Sequence, residues 1–330
     1  MPTRSLPARA LAATAEPWLH DLGHGVHAID TGFHRDEFDA AYLVVHGGEA
    51  AFIDTGTHFA LSRLLGALEV LGLERAAVSH VIPTHVHLDH AGGVGSLMAE
   101  LPRARCLVHP RGARHMVDPS VLWQGATAVY GDETMRRDYG QVRPVPADRV
   151  DTSDDGMTLR LGGGRKLFFA DTPGHAKHHH CVWDEASGGW FTGDTFGLSY
   201  PEFDNAAGQA WILPTSTPVQ FEPEALQASI RRMQSHRPEC LYLTHYSRVD
   251  DVPRLTETLL ELLSRMAALG LAHRKRPAAE RHAALKAGQL ELFVASLRAH
   301  GCGFDEARIA ELLEIDLELN AQGMAVWLDR

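Results

Sequence analysis

Short apolar runs rich in β-branched and aromatic residues, separated by turn residues, fill the chain up to about residue 250 and predict strands. They span Gly25–Asp30, Ala41–His46, Ala50–Asp54, Ala77–Pro83, Arg105–His109, Lys166–Asp171, Cys181–Asp184, Gly189–Thr192 and Glu239–Thr244. Apolar residues at helical spacing predict helices over Leu61–Leu71, Glu224–Gln234 and Leu255–Leu269. Strands with interspersed helices imply an α/β domain. From Asp251 onward three helical stripes follow with no strand between them: Leu255, Leu259, Leu262, Leu263 and Met266; then Leu290, Leu292, Phe293 and Leu297; then Ile309, Leu312, Leu313 and Leu317. They predict a helical C-terminal subdomain whose stripes are core-forming. The organisation expected is an N-terminal extension over 1–20, one domain over 21–250 and the helical subdomain over 251–330. No internal repeat or low-complexity tract is evident.

Several predicted strands end alike. Ile53 runs into Asp54, Pro83 towards His85, Ala170 into Asp171 and towards His175, Phe191 towards Asp194, and Leu243 towards His245. Loops at the carboxyl ends of strands carry the site in sheet-based enzymes, so these ends are expected to converge. The densest stretch is Thr84-His85-Val86-His87-Leu88-Asp89-His90, on a strand-to-helix turn. Side chains two apart in an extended turn point the same way, so His85 and His87 can grip one ion while Asp89 and His90 reach another.

Composition narrows the classes. The formal net charge of -11, from 31 basic and 42 acidic residues, argues against nucleic acid or anionic membranes as partners and favours a small-molecule substrate. Cys106, Cys181, Cys240 and Cys302 form no CxxC pair, so neither a disulfide framework nor a thiolate metal site is indicated. No apolar run reaches membrane-spanning length, and Met1 to Trp18 carries Arg4 and Arg9 without an apolar signal segment, so a cytoplasmic protein is expected. There is no Gly-x-Ser-x-Gly elbow, and Gly162-Gly163-Gly164 lacks a phosphate-loop ending.

Taken in order, His85-x-His87-x-Asp89-His90, Thr172-Pro173-Gly174-His175, Gly193-Asp194 and Thr244-His245 resemble the motifs of the metallo-β-lactamase superfamily, and Ile53-Asp54-Thr55-Gly56 is similar to its first motif. The resemblance covers roughly residues 25 to 250. It implies a four-layer αββα sandwich with a dinuclear metal centre at one edge. His85, His87 and His175 would hold the first metal, Asp89, His90 and His245 the second, and Asp194 would bridge them. Asp54 would orient ligands from behind, and His179 matches a position where many members carry a histidine that is not a ligand. Many members also pair as homodimers.

Five imidazoles and two carboxylates suit two zinc ions, with iron or manganese as alternatives. Two ions sharing a carboxylate leave room for a bridging water whose pKa falls from about 15.7 to near 7. The expected protein is a hydrolase that uses this hydroxide on a small ester, lactone, thioester or phosphodiester, with Asp89 orienting the nucleophile and carrying a proton. The alternative is a non-haem iron oxidoreductase of the persulfide dioxygenase kind. After Gly193-Asp194 the chain continues Thr195-Phe196-Gly197-Leu198-Ser199-Tyr200, which departs from the glyoxalase II and persulfide dioxygenase branches. Phe196, Tyr200 and Tyr246 follow ligands directly and are expected as pocket walls, with Tyr246 also a hydrogen-bond donor to an oxyanion. His80 is expected as a core histidine, His58, His109 and His115 as rim residues, and Arg274-Lys275-Arg276 as a solvated charge run.

Overall fold

The computed structural model describes residues 12, 13 and 16–330, so most of the expected N-terminal extension lies outside the described residues. Two sheets carry the fold. The first contains β1 (Ala12–Ala13), β2 (Leu19–Asp21), β3 (Val26–Asp30), β4 (Ala40–His46), β5 (Glu49–Ile53), β6 (Val78–Ile82), β7 (Arg105–Val108) and β8 (Val150–Thr152) in that spatial order. The second contains β9 (Thr158–Leu161), β10 (Arg165–Asp171), β11 (His180–Asp184), β12 (Gly189–Gly193), β13 (Cys240–Leu243) and β14 (Ser247–Val249), also in sequence order.

The sheets share a plan that sequence inspection did not reveal. In each, a four-strand antiparallel meander (β2 to β5, β9 to β12) is followed by a parallel neighbour (β6, β13). The crossovers contain α1 (Leu61–Val70) and, in the second half, α7 (Pro223–Ser235). The fourth strand of each meander runs into Asp-Thr (Asp54-Thr55, Asp194-Thr195) and the following parallel strand into Thr-His (Thr84-His85, Thr244-His245). The repeat is one of topology and two dipeptides.

Strand residues alternate between two hydrophobic layers, as the pleat requires. Tyr42, Val44, Ala51, Ile53 and Ile82 face Leu167, Phe169, Val182, Phe191 and Tyr242 between the sheets. Leu43, Phe52 and Val81 point outward, where α1 and α3 (Val94–Glu100) cover them. Burial on both faces explains why these strands read as continuous apolar runs. On the outer face of the second sheet, Trp190, Leu241 and Leu243 join a cluster with α7, α8 (Val252–His273), α9 (Ala278–His300), α10 (Glu306–Leu312) and α11 (Glu314–Leu328). The result is an αββα sandwich with a helical C-terminal region. The third expected stripe is two helices, because Leu313, at φ -102° and ψ 11°, leaves the helical geometry between α10 and α11.

Other differences have local causes. β2, β8, β9 and β14 were missed because they are only three or four residues long and mix polar with apolar positions. The short helices α2 (Leu88–Ala91), α4 (Ala113–Val117), α5 (Ser120–Tyr130) and α6 (Asp132–Thr134) lie in connections, and α5 buries none of its residues completely. His80 lies in β6 but is only half-buried beside Ser79, so it is not a core histidine. Among the described residues no helix is long and apolar enough to cross a membrane.

The end of the sandwich opposite the strand ends that carry Asp54 and His175 is closed by a buried ion pair. Arg165 donates through Nε to Asp184 Oδ1 at 2.8 Å and through a terminal nitrogen to Oδ2 at 2.5 Å, and its other terminal nitrogen reaches the His24 carbonyl before β3. Both side chains are inaccessible. Removing one partner strands a buried charge, so Arg165→Leu should cost about 3–5 kcal/mol. Chemical denaturation should show the Arg165→Leu/Asp184→Leu double variant recovering most of that loss.

Candidate metal centre

The carboxyl ends of β5, β6, β10, β12 and β13 meet at one edge. Cross-sheet hydrogen bonds bring them together: His180 N–H to the Thr84 carbonyl at 2.9 Å and Ala40 N–H to the Thr244 carbonyl at 2.8 Å. Two donor sets result. Ligand atoms of His85, His87, His175 and Asp194 lie within 4.8 Å of one another, as do those of Asp89, His90 and His245.

In the first set, His85 Nε2 stands 2.7 Å from His87 Nδ1, which stands 3.2 Å from His175 Nε2. Asp194 divides its carboxylate: Oδ2 is 3.3 Å from His175 Nε2, whereas Oδ1 is 3.3 Å from His90 Nε2 and 3.8 Å from His245 Nε2. Asp89 Oδ2 completes the second set, 3.5 Å from His245 Nε2 and 3.7 Å from His90 Nε2. Four ligands about 2.0–2.1 Å from one ion stand roughly 3.3 Å apart at tetrahedral angles. The observed spacings, 2.7–3.8 Å, scatter around that value.

Tautomers show which nitrogens face the centre. His245 Nδ1 is 2.9 Å from the Phe38 carbonyl, which can only accept, so Nδ1 carries the proton and Nε2 presents a lone pair. His90 Nδ1 donates to Asp54 Oδ2 at 2.9 Å, with the same consequence. The Thr84 hydroxyl donates to Asp54 and stands 3.2 Å from His85 Nδ1, whose proton it can accept, leaving His85 Nε2 free. The buried atoms His90 Nε2 and Asp194 Oδ1 make no hydrogen bond although they face each other. Two acceptors held together inside a protein require a cation or a proton between them. The residues present therefore fit metal ions.

The electrostatics separate the sets. Burial pushes His85 well below the usual imidazole value, aided by His90 and His87, and burial and His175 take His87 down to about 3. In the second set burial also favours neutral imidazole, but Asp194, Asp89 and Asp54 outweigh it at His90 and raise it. At His245 the Asp89 carboxylate, which accepts a hydrogen bond from the protonated ring, and the charge of Asp194 overcome burial, raising it to about 9. His90 and His175, with a smaller share from His245, in turn hold Asp194 well below the usual carboxylate range despite its burial. The imidazoles of the first set are held neutral, whereas those of the second are drawn towards positive charge.

Behind the donors, Asp54 is buried with φ 55° and accepts from Thr84 N–H at 2.7 Å, the Thr84 hydroxyl at 3.0 Å, the Thr244 hydroxyl at 2.8 Å and His90. His179 lies outside both donor sets. It stacks on His85 with ring centroids 4.7 Å apart, its Nε2 accepts from Asp194 N–H at 3.2 Å, and its Nδ1 is 2.9 Å from the Thr172 hydroxyl. Gly193, with φ +47°, lets the chain pass, since a Cβ there would stand 2.5 Å from His179 Nε2 and 2.6 Å from Thr84 Oγ1.

The expected pocket walls are corrected. Phe196, Tyr200 and Tyr246 are all fully buried. Tyr246 packs between the sheets, while Phe196 and Tyr200 enter the cluster under the C-terminal helices, because the chain turns inward after each ligand. At the rim His58 pairs with Ser96 at 2.9 Å, His109 faces Asp171 at 3.3 Å, and His115 lies beside Arg114. None of the three joins the donor sets. Sequence reading missed Thr84 and Thr244, although the repeated Thr-His dipeptide was a usable signal. The Phe38 carbonyl, a backbone acceptor, left none.

A family model described as the Metallo-beta-lactamase superfamily matches residues 35–245. A metallo-beta-lactamase fold-containing protein from Sulfurisphaera tokodaii is 26% identical over 73% of this chain and 85% of its own. A protein named as a thioesterase, pkgB of Emericella nidulans, is 27% identical over 64% of this chain, which spans 47% of that relative. Among solved structures, an archaeal metallo-beta-lactamase superfamily protein from Sulfolobus tokodaii superposes with a TM-score of 0.64 at 21% identity, covering 91% of this chain and 98% of its own.

Removing the carboxylate at Asp54 leaves the Thr84 amide and the His90 and Thr244 donors without their acceptor. Asp54→Ala should lower metal affinity about 10- to 100-fold and stability by about 2–4 kcal/mol. Chelator competition and thermal unfolding measure the two effects separately.

Proposed function

Because this chain belongs to the metallo-beta-lactamase superfamily, whose members are mostly metal-dependent hydrolases, we propose that it is a dinuclear metallohydrolase acting on a small ester, lactone, thioester or phosphodiester. The observation that carries the reading is the division of Asp194, one carboxylate oxygen towards each donor set. A relative named as a thioesterase supports an acyl substrate, and thioesters are the class to test first.

His85, His87 and His175 would hold one ion, Asp89, His90 and His245 the other, with Asp194 between them. Zinc suits this nitrogen and oxygen set. When bound, such ions supply Lewis acidity and a water acidic enough to react at neutral pH. The protein's own contribution is to aim and to exchange protons. Asp194 and the buried imidazoles are nearly inaccessible, whereas the Asp89 side chain keeps 25% of its surface exposed. Despite partial burial, His90 and His245 hold Asp89 well below the usual carboxylate range, so it is ionised at neutral pH. Asp89 is the one donor that can orient an attacking water, accept its proton and pass it to solvent. The histidines fix the distance between the sets, and burial around all the donors but His87 and Asp89 limits the access of competing water.

Short acyl thioesters and aryl esters should be hydrolysed by the zinc-loaded chain, with activity lost on chelation and restored by zinc. Asp89→Asn should lower kcat by at least about 100-fold. Hydrolysis indifferent to chelation, or one iron per chain with thiol-dependent oxygen uptake, would contradict the reading.

A further inference from the structure

Two buried polar residues interrupt the apolar face of α11. Asp316, Asn320 and Gly323 recur at helical spacing among its buried positions, and they meet the segments that carry Tyr200 and residues 214–217. Asn320 is fully buried. Its Oδ1 accepts from Ser216 N–H at 2.6 Å, its Nδ2 donates to the Pro214 carbonyl at 3.2 Å, and its own carbonyl accepts from the Ser216 hydroxyl at 3.4 Å. Gly323 lets the two segments close, since a Cβ there would stand 2.3 Å from Ser216 Oγ and 2.5 Å from the Thr217 carbonyl. Residues 214–217 are thereby strapped to α11, and the next side chain along the strap reaches the centre: the buried Thr217 hydroxyl lies 3.4 Å from His87 Nε2.

The contact bears on which nitrogen His87 offers. His87 Nδ1 faces His85 Nε2 and His175 Nε2, so it must be the unprotonated atom if it is to bind an ion, and the proton must sit on Nε2. His85, His90 and His245 have their tautomers set from within the sandwich, by Thr84, Asp54 and the Phe38 carbonyl. We propose that Thr217, held in place by Asn320 of α11, is the positioning residue that accepts the Nε2 proton of His87 and so fixes Nδ1 as a metal donor. The C-terminal helical region is on this account part of the metal centre's support. Asp316 adds a parallel link: it accepts from the Tyr200 hydroxyl at 3.1 Å, and Tyr200 stacks on Phe38, whose carbonyl orients His245.

The inference rests on the metal-centre reading, and zinc titration of the full chain against a chromophoric chelator tests both. Thr217→Val keeps the side chain's shape and removes the acceptor. It should weaken one of two zinc sites about 10- to 100-fold and leave the other unchanged. Thr217→Ser should restore the lost affinity, and Asn320→Ala, if it folds, should reproduce the loss. Wild-type zinc uptake by Thr217→Val would overturn the inference alone, as would an equal weakening of both sites, the mark of a generally loosened fold. A wild-type chain that takes up no zinc would overturn the metal-centre reading with it.

Discussion

The carboxylate of Asp54 is the constraint on which the site depends. It lies just past β5 and gathers the Thr84 amide and hydroxyl from the end of β6 and the Thr244 hydroxyl from the end of β13, so one buried anion ties the two sheets together where the ligands begin. It also reaches both donor sets, His90 directly and His85 through the Thr84 hydroxyl. A buried carboxylate without hydrogen-bond donors is costly, and donors arriving from the ends of β6 and β13 relieve that cost only when those ends stand in register with β5. Local hydrogen bonding and global assembly therefore demand the same arrangement.

The repeated plan of the two sheets explains how one edge comes to hold seven donors. Each meander delivers an aspartate at the end of its fourth strand, and each parallel neighbour delivers a Thr-His pair. The first aspartate, Asp54, turns towards hydroxyl and imidazole donors and becomes a brace. The second, Asp194, has its backbone amide held by His179 and directs its two oxygens to the two sets. The same residue type at topologically matching positions thus serves structure in one half and chemistry in the other. The asymmetry is completed by the turn after β6, which alone adds His87, Asp89 and His90.

Much of this was legible in the chain because the donor residues carry local signals in the sequence. His85, His87, Asp89 and His90 occupy one turn, and His175, Asp194 and His245 each follow an apolar run, so motif spacing and strand ends led to the residues that the structure brings together. What escaped reading acts through the backbone or over long range. The Phe38 carbonyl has no side-chain signature, and Asn320 sits in a helical stripe far from any ligand, where its polarity looks like an interruption of the core. Phe196, Tyr200 and Tyr246 were misplaced for a related reason: adjacency to a ligand says nothing about direction, and these aromatic side chains turn into hydrophobic layers where they bury the most surface. The short strands β8, β9 and β14 fell below the length at which alternation can be recognised.

The central claim is that two ions sit on either side of the Asp194 carboxylate. Anomalous diffraction at the zinc edge, from crystals of the full chain grown with zinc, tests it most directly. The account predicts two peaks about 3.5–4 Å apart, one among His85, His87 and His175 and the other among Asp89, His90 and His245. A single peak, or none within reach of Asp194, would contradict it.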